Sequence, residues 1–231
     1  MTTSSSQARR KQWNAQHAAL RRLLAGKPDL PQVLAVFLPH HAAVHCARLD
    51  RHRDWSFQDE ALDQLTPAQM RAIPSGQPHS AAWLLWHITR IEDATMNSLL
   101  AGSPQVFFDG AWAARLETDY IDTGNAMTAE DIARLSQTVN LQALLAYRLA
   151  VGKRTRAIVR RLAPQALVGR PLPERLQHLA GSAQVRPEAA GVLAYWGGHP
   201  AANLLLMPAT RHGFLHLNEV RLLRAKLRQI A

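Results

Sequence analysis

Two histidines four residues apart, His212 and His216, lie in the stretch MPATRHGFLHLNEVRLLRAKL, residues 207–227, which carries the marks of a helix. At about 100° per residue their side chains project about 40° apart and one turn above each other, so both imidazoles can reach one divalent ion. Glu219 falls on the same stripe and continues it with a carboxylate. Pro208 suits a first turn and Thr210 an N-cap, while Leu215, Val220, Leu223 and Leu227 recur at helical spacing. Arg221, Arg224, Lys226 and Arg228 gather in the last turns, where cations oppose the negative end of the helix dipole. In a chain with 11 histidines such a pair also arises by chance, and a solvated or core-filling pair is the plain alternative. A third ligand has to come from another element.

Two other segments offer histidines. The stretch SAAWLLWHITRIEDATMNSLLAG reads as a helix from near Ser80 to Gly102, with His87 at its centre. Trp83, Leu84, Arg90, Ile91, Ala94 and Ser98 share the face of His87, and Glu92 and Asp93 point away from it. Alone, a histidine on such a stripe reads as a core residue with a satisfied hydrogen bond. The rival set is His41, His45 and His52, on a helix expected from about residue 29 or 31 to Asp50 and interrupted by Pro39. Arg48 lies on that stripe and would repel an ion, so His41 and His45 are expected to be polar or pocket-facing without one. His178 and His199 have no partner at ligand spacing and read as structural.

The elements that must position these residues are helical throughout. Residues 6–26 form an amphipathic pattern with Trp13, His17, Leu20 and Leu24 on one stripe, stopped by Gly26 and Pro28. Thr66 with Pro67 marks a short helical turn. Residues 103–127, punctuated by Gly and Asp, read as a long loop with one turn around 111–115, the kind of segment that forms a lid or pocket wall. Thr128 with Asp131 makes a capping box that opens a helix expected to run to about Leu162, with Gly152 as a point of bending. Residues 163–206, with five prolines, give only short helical pieces.

Bulk composition narrows the class. Of 231 residues, 47% are hydrophobic and 19% charged, with Ala, Leu, Arg and Gln dominant and no alternating β-branched runs, so the chain is all-α. The single cysteine, Cys46, cannot pair within the chain. The first residues lack the apolar stretch of a secretion signal, and no run approaches the roughly 20 apolar residues of a membrane helix. A cytoplasmic location and no membrane partner are therefore expected. The net charge of +10 invites a nucleic-acid reading, but the basic residues are dispersed and no recognition motif accompanies them.

With these residues in place, the chain resembles the DinB-like (DinB/YfiT-like) superfamily of bacterial proteins. The resemblance rests on A-x-W-L-L-W-H-I-x-R-I-E-D around His87, a long third helix, and the late H-x-x-x-H at His212 and His216, over roughly residues 30–229. It implies a four-helix bundle with up-down-down-up connectivity, often dimeric, here with an extra N-terminal helix (residues 1–29) ahead of the bundle domain (residues 30–231) and an extended region before the last helix. In such proteins one histidine of the second core helix and two of the last hold a divalent ion in an open site. Carried over by position, that role falls to His87, His212 and His216. The ion would be Ni, Zn or Mn, and in characterised relatives it serves to bind and deprotonate a low-molecular-weight thiol that adds to an electrophile. One branch isomerises maleylpyruvate in this way. Glu219 is then the candidate catalytic residue, as a base, a fourth ligand or the group that orients an imidazole. A small-molecule substrate and a homodimer follow from the same resemblance, and metal-assisted hydrolysis is the other reaction an open ion supports. A non-catalytic binding or assembly protein and a basic nucleic-acid-associated protein stay open as alternatives.

Overall fold

The computed structural model describes residues 3–230, which form helices and turns with no strand among the described residues. Six helices reach ten residues: α1 (Thr3–Leu24), α2 (Leu30–Ala43), α3 (Ala81–Asp93), α4 (Ala129–Thr138), α5 (Leu141–Arg161) and α6 (His212–Ile230). Most of their starts are written locally. Asp29, Ser80, Thr128 and Asn140 each accept a backbone N–H of the first turn of the helix they open, which satisfies donors that have no intrahelical partner. Thr66 and Gln69, like Thr128 and Asp131, form the reciprocal capping box.

All 13 residues of α3 are buried, and α5, α6, α4 and the short helix Pro67–Arg71 pack around it. A helix buried on every side must pair each polar group it carries. Arg90 donates to Gln105 Oε1 at 2.9 Å, Tyr147 Oη at 3.0 Å and the Ile121 carbonyl at 2.6 Å. Asp93 accepts the N–H groups of Val106 and Phe107, both at 2.9 Å, and the Tyr147 hydroxyl at 2.6 Å. These bonds fasten the segment after α3 to the core. That segment is less of a loop than its composition suggests, since it contains two short helices, Val106–Asp109 and Trp112–Leu116. α3 itself continues into a π-helical stretch, Ala94–Ala101, ended by Gly102 in the left-handed region.

The N-terminal helix α1 is clamped onto α2 and α6 by one aromatic stack. Trp13 lies parallel to Phe214, with ring centroids 3.9 Å apart, and stacks on His40 at 4.2 Å. Arg10 Nε adds a 2.7 Å bond to Asn218 Oδ1.

Two expectations need correction. The helix expected over 128–162 is two helices, broken at Val139, because Asn140 caps a new start through Ala143 N–H at 3.0 Å. Helix α2 ends at Ala43 instead of Asp50. Beyond Ala43 the N–H groups of Val44 and His45 turn back to the His41 and Ala42 carbonyls in i,i+3 bonds, and Arg148 donates to the Val44 carbonyl, an acceptor that a continued helix would have bonded internally. His52 and Arg48 consequently leave the stripe of His41 and His45. Gly152 lies within α5. A Cβ there would stand 2.8 Å from His45 Nδ1 and 3.1 Å from Leu49 Cδ2, so the glycine is required by close approach of the His45 ring.

Candidate metal centre

A π-helical turn, Met207–Arg211, leads directly into α6, whose first residue is His212. Thr210 Oγ1 donates to the Leu205 and Leu206 carbonyls, both at 2.8 Å, and fixes this turn. One turn along α6 stands His216, and α3 presents His87 opposite. The ring centroids are 4.9 Å apart for His87–His212, 5.2 Å for His87–His216 and 4.6 Å for His212–His216, with interplanar angles of 70–85°. One nitrogen from each ring falls within 4.8 Å of the others, so the three donors could hold a metal ion. The structure brings together His87 and the His212–His216 pair, which the sequence places on two separate helices.

What surrounds the rings decides how they can be used. His87 Nδ1 lies 2.6 Å from the Thr123 carbonyl, and a carbonyl can only accept, so the Nδ1 carries the proton and Nε2 keeps its lone pair. His216 Nδ1 lies 2.9 Å from Glu219 Oε2 and is set the same way. His212 Nδ1 is buried and without a partner among the described residues. Each ring thus keeps at least one nitrogen uncommitted. Burial, then the charge of His216, pushes His87 down to about 3. Burial, then His87 and His216, puts His212 well below its ordinary value. Both are neutral at pH 7, the form that binds metal.

Thr123 reaches His87 because Gly124 follows it. Gly124 has φ +84°, and a Cβ there would stand 3.2 Å from His87 Nδ1 and 3.3 Å from Trp83 Cζ2. The turn is held by Asp122, which accepts the Gly124 N–H at 2.7 Å and pairs with Arg186. Trp83 lies flat between His79 and His87, 4.1 Å from one ring and 4.8 Å from the other.

Glu219 bridges two imidazoles. Its second oxygen accepts from His79 Nδ1 at 3.0 Å. Although partial burial pushes its carboxyl up, the hydrogen bonds from His216 and His79 hold it at about 2. A purely structural glutamate would be expected to pair with an arginine across the bundle, but Arg90 bonds within the core and Arg48 is exposed, and the ion pairs of Glu219 are with His79 and His216. The side chains of His216, His79 and Glu219 are 22%, 22% and 31% exposed, against 5% for His87, so the cluster meets solvent on this side. His79 and Thr123 were not singled out in the sequence. His79, Trp83 and His87 do follow at i, i+4 and i+8, but the Ser80 cap places His79 outside the helix, and an approaching backbone carbonyl has no residue-type signature.

The rival stripe forms a second cluster of a different kind. His41 Nε2 lies 2.8 Å from Glu92 Oε1, and His45 Nε2 lies 2.9 Å from Glu92 Oε2. The Thr155 hydroxyl donates to Oε1 at 2.7 Å. This group also has metal-compatible composition, yet here each Nε2 is spent on the carboxylate and each Nδ1 is buried without a partner. An ion taking the Nε2 lone pairs would leave two buried N–H groups unpaired, contrary to the second-shell support ligating histidines normally have. The wholly buried Arg148 already offsets the Glu92 charge through space. Of the two clusters, the one around His87 has the free nitrogens and two rings held by hydrogen bonds through Nδ1.

A family model described as the DinB superfamily matches residues 50–207. The matched span contains His87 and stops short of His212 and His216. Comparison with curated proteins gives no match. None of the described helices is long and apolar enough to cross a membrane. The family match extends over more than half of the 231 residues, and the all-helical fold agrees with it: the chain belongs to the DinB superfamily.

Proposed function

We propose that this chain is a divalent-metal-dependent enzyme acting on a small molecule, with His87, His212 and His216 as ligands in a DinB-type bundle of residues 30–231. The observation that carries this reading is the pair of hydrogen bonds, from His87 Nδ1 to Thr123 and from His216 Nδ1 to Glu219, that hold two rings with Nε2 free. Three protein ligands leave positions for an exogenous group, the arrangement of catalytic and not structural sites. A divalent ion held there supplies Lewis acidity that lowers the pKa of a thiol or water reaching it.

The chain's own groups divide the remaining work. Glu219 acts as a positioning residue, because both its oxygens are engaged and a carboxyl held near 2 is a poor proton acceptor at neutral pH. His79 keeps Nε2 uncommitted at the solvent side of the cluster and is the better placed proton carrier. Trp83 and the Asp122–Gly124 turn shield the inner side of His87. The reaction class that fits is thiol addition or transfer to a small electrophile.

Metal titration of the metal-free protein tests the ligand set. One ion per chain is expected, with His87→Ala abolishing binding and His45→Ala leaving it intact; the reverse outcome would move the centre to the Glu92 cluster. Thiol consumption with glutathione and chlorodinitrobenzene, compared with and without the ion, tests the reaction. Metal binding with ester hydrolysis and no thiol consumption would replace transfer by hydrolysis.

Glu219→Gln should lower metal affinity by roughly 10–100-fold, the usual consequence of losing a group that orients a ligand. The thermal midpoint of the metal-free form should change little. A destabilised fold with unchanged metal affinity would make Glu219 a structural residue only.

A further inference from the structure

Helix α5 contains six cations and no acidic residue in its 21 positions. Lys153, Arg156 and Arg160, at i, i+3 and i+7, face the segment that follows α2, which supplies Arg48, Arg51 and His52. Between them lies a concavity of about 620 Å³ bordered by Leu38 and Leu49. Five cationic side chains and His52 line it against one carboxylate, Asp50.

That carboxylate is already used. Asp50 Oδ2 accepts from Arg156 Nη2 at 3.2 Å, and Arg156 Nη1 donates to the Leu38 carbonyl at 2.6 Å, so this guanidinium is fixed and only 7% exposed. Arg51 donates to His52. Arg48, Lys153 and Arg160 have no ion pair among the described residues. The helix dipole accounts for Arg160 in the last turn of α5. It does not account for Lys153, about two turns earlier, nor for Arg48 and Arg51 on a separate segment. Like charges crowded around a hollow without counter-charges repel one another, and a multiply charged anion relieves that repulsion.

We propose that this concavity binds a small ligand bearing a di- or triphosphate group, at residues separate from the histidine cluster. The size of the hollow is that of small-molecule sites, typically about 300–1,000 Å³. Leu38 and Leu49 offer an apolar wall for an organic moiety beside the phosphates, and Arg156 offers a guanidinium already oriented. A duplex backbone would need cations along a ridge, whereas these converge on a hollow.

Calorimetric titration of the full chain with inorganic tripolyphosphate and with ATP, at about 0.15 M salt, tests this. One saturable site is expected. Lys153→Gln with Arg160→Gln, on one wall, and Arg48→Gln with Arg51→Gln, on the other, should each weaken binding by about tenfold or more, since charge-assisted contacts are lost. Arg170→Gln with Lys226→Gln, exposed cations elsewhere, should not. Equal affinity for the two ligands would mean that the phosphate chain alone is recognised, and tighter ATP binding that the apolar wall contributes; either supports the proposal. Absence of saturable binding, an equal loss in the control pair, or a short DNA duplex binding through the same residues more tightly than ATP would overturn it.

Discussion

Glu92→Gln is expected to cost the fold about 3–5 kcal/mol, the range for removing one partner of a buried charge pair. Glu92 accepts three hydrogen bonds, from His41, His45 and Thr155, which come from α2, the turn after it and α5. It therefore ties the central helix to two neighbours at one point. A glutamine has one acceptor oxygen and must turn an N–H group toward an imidazole. That ring would then have to move its proton to Nδ1, which is buried and unpartnered in both histidines. The substitution also strips Arg148 of its compensating charge. Burial already pushes this guanidinium down to about 10, with Glu92 opposing the shift. Its own hydrogen bonds go to neutral groups, Gln58 Oε1, the Val44 carbonyl and Thr89 Oγ1. Arg148→Met should be similarly damaging, and the double variant should lose less than the sum of the two by at least about 1 kcal/mol. Chemical denaturation of the four forms measures this. Additive losses would show that Glu92 and Arg148 are not a charge pair.

The cluster around His87 is more legible in the sequence than the one around Glu92, and the difference is physical. His212, His216 and Glu219 share a helix, so their common face follows from helical phase alone, and the helix that carries His87 is marked by the Ser80 cap and the Gly102 stop. Nothing local announces that α2 ends at Ala43, because the Val44 carbonyl just past that end is bonded by Arg148, more than 100 residues away. The stripe of His41 and His45 was legible, but the Arg48 assigned to it leaves with the lost turn. The cation that does sit beside these histidines, Arg148, comes from α5. The break at Asn140 is a similar case. Leu135 and Val139 continue the apolar period up to it, and two bonds of Asn140 separate one long helix from two: its side chain accepts the Ala143 N–H, and its own N–H donates to the Leu116 carbonyl outside the helix. Thr123 and Gly124 show a further limit, since the group that fixes His87 is a backbone carbonyl.

Acidification should unfold this protein well above the pH at which carboxylates titrate. His40, His45 and His87 are buried, and burial is the leading cause that pushes each of them from 6.5 to about 3. His17, at about 4, is only half-buried and is left out of the sum, since solvent screens it. The sign follows from linkage. The unfolded chain takes up protons below 6.5 that the folded chain refuses, so the stability held in these neutral rings is complete above 6.5 and is lost as pH falls. At pH 5 each ring forfeits about 1.4 kcal/mol per pH unit over about 1.5 units, or about 2 kcal/mol. Three rings together lose about 6 kcal/mol, which is comparable with the whole stability of an ordinary domain, about 5–15 kcal/mol. Asp93, which burial pushes up, works in the opposite direction, but it is one group against three. Glu92 lies well below its ordinary 4.5 and adds to acid lability only at lower pH. The interval from 6.5 to 5 therefore isolates the imidazoles. Thermal midpoints measured across it, with a chelator present so that metal release contributes nothing, should fall steeply. A midpoint that stays level between pH 7 and 5 would mean that the three rings accept protons inside the fold, and the neutral ligand set assigned to His87 would fall with it.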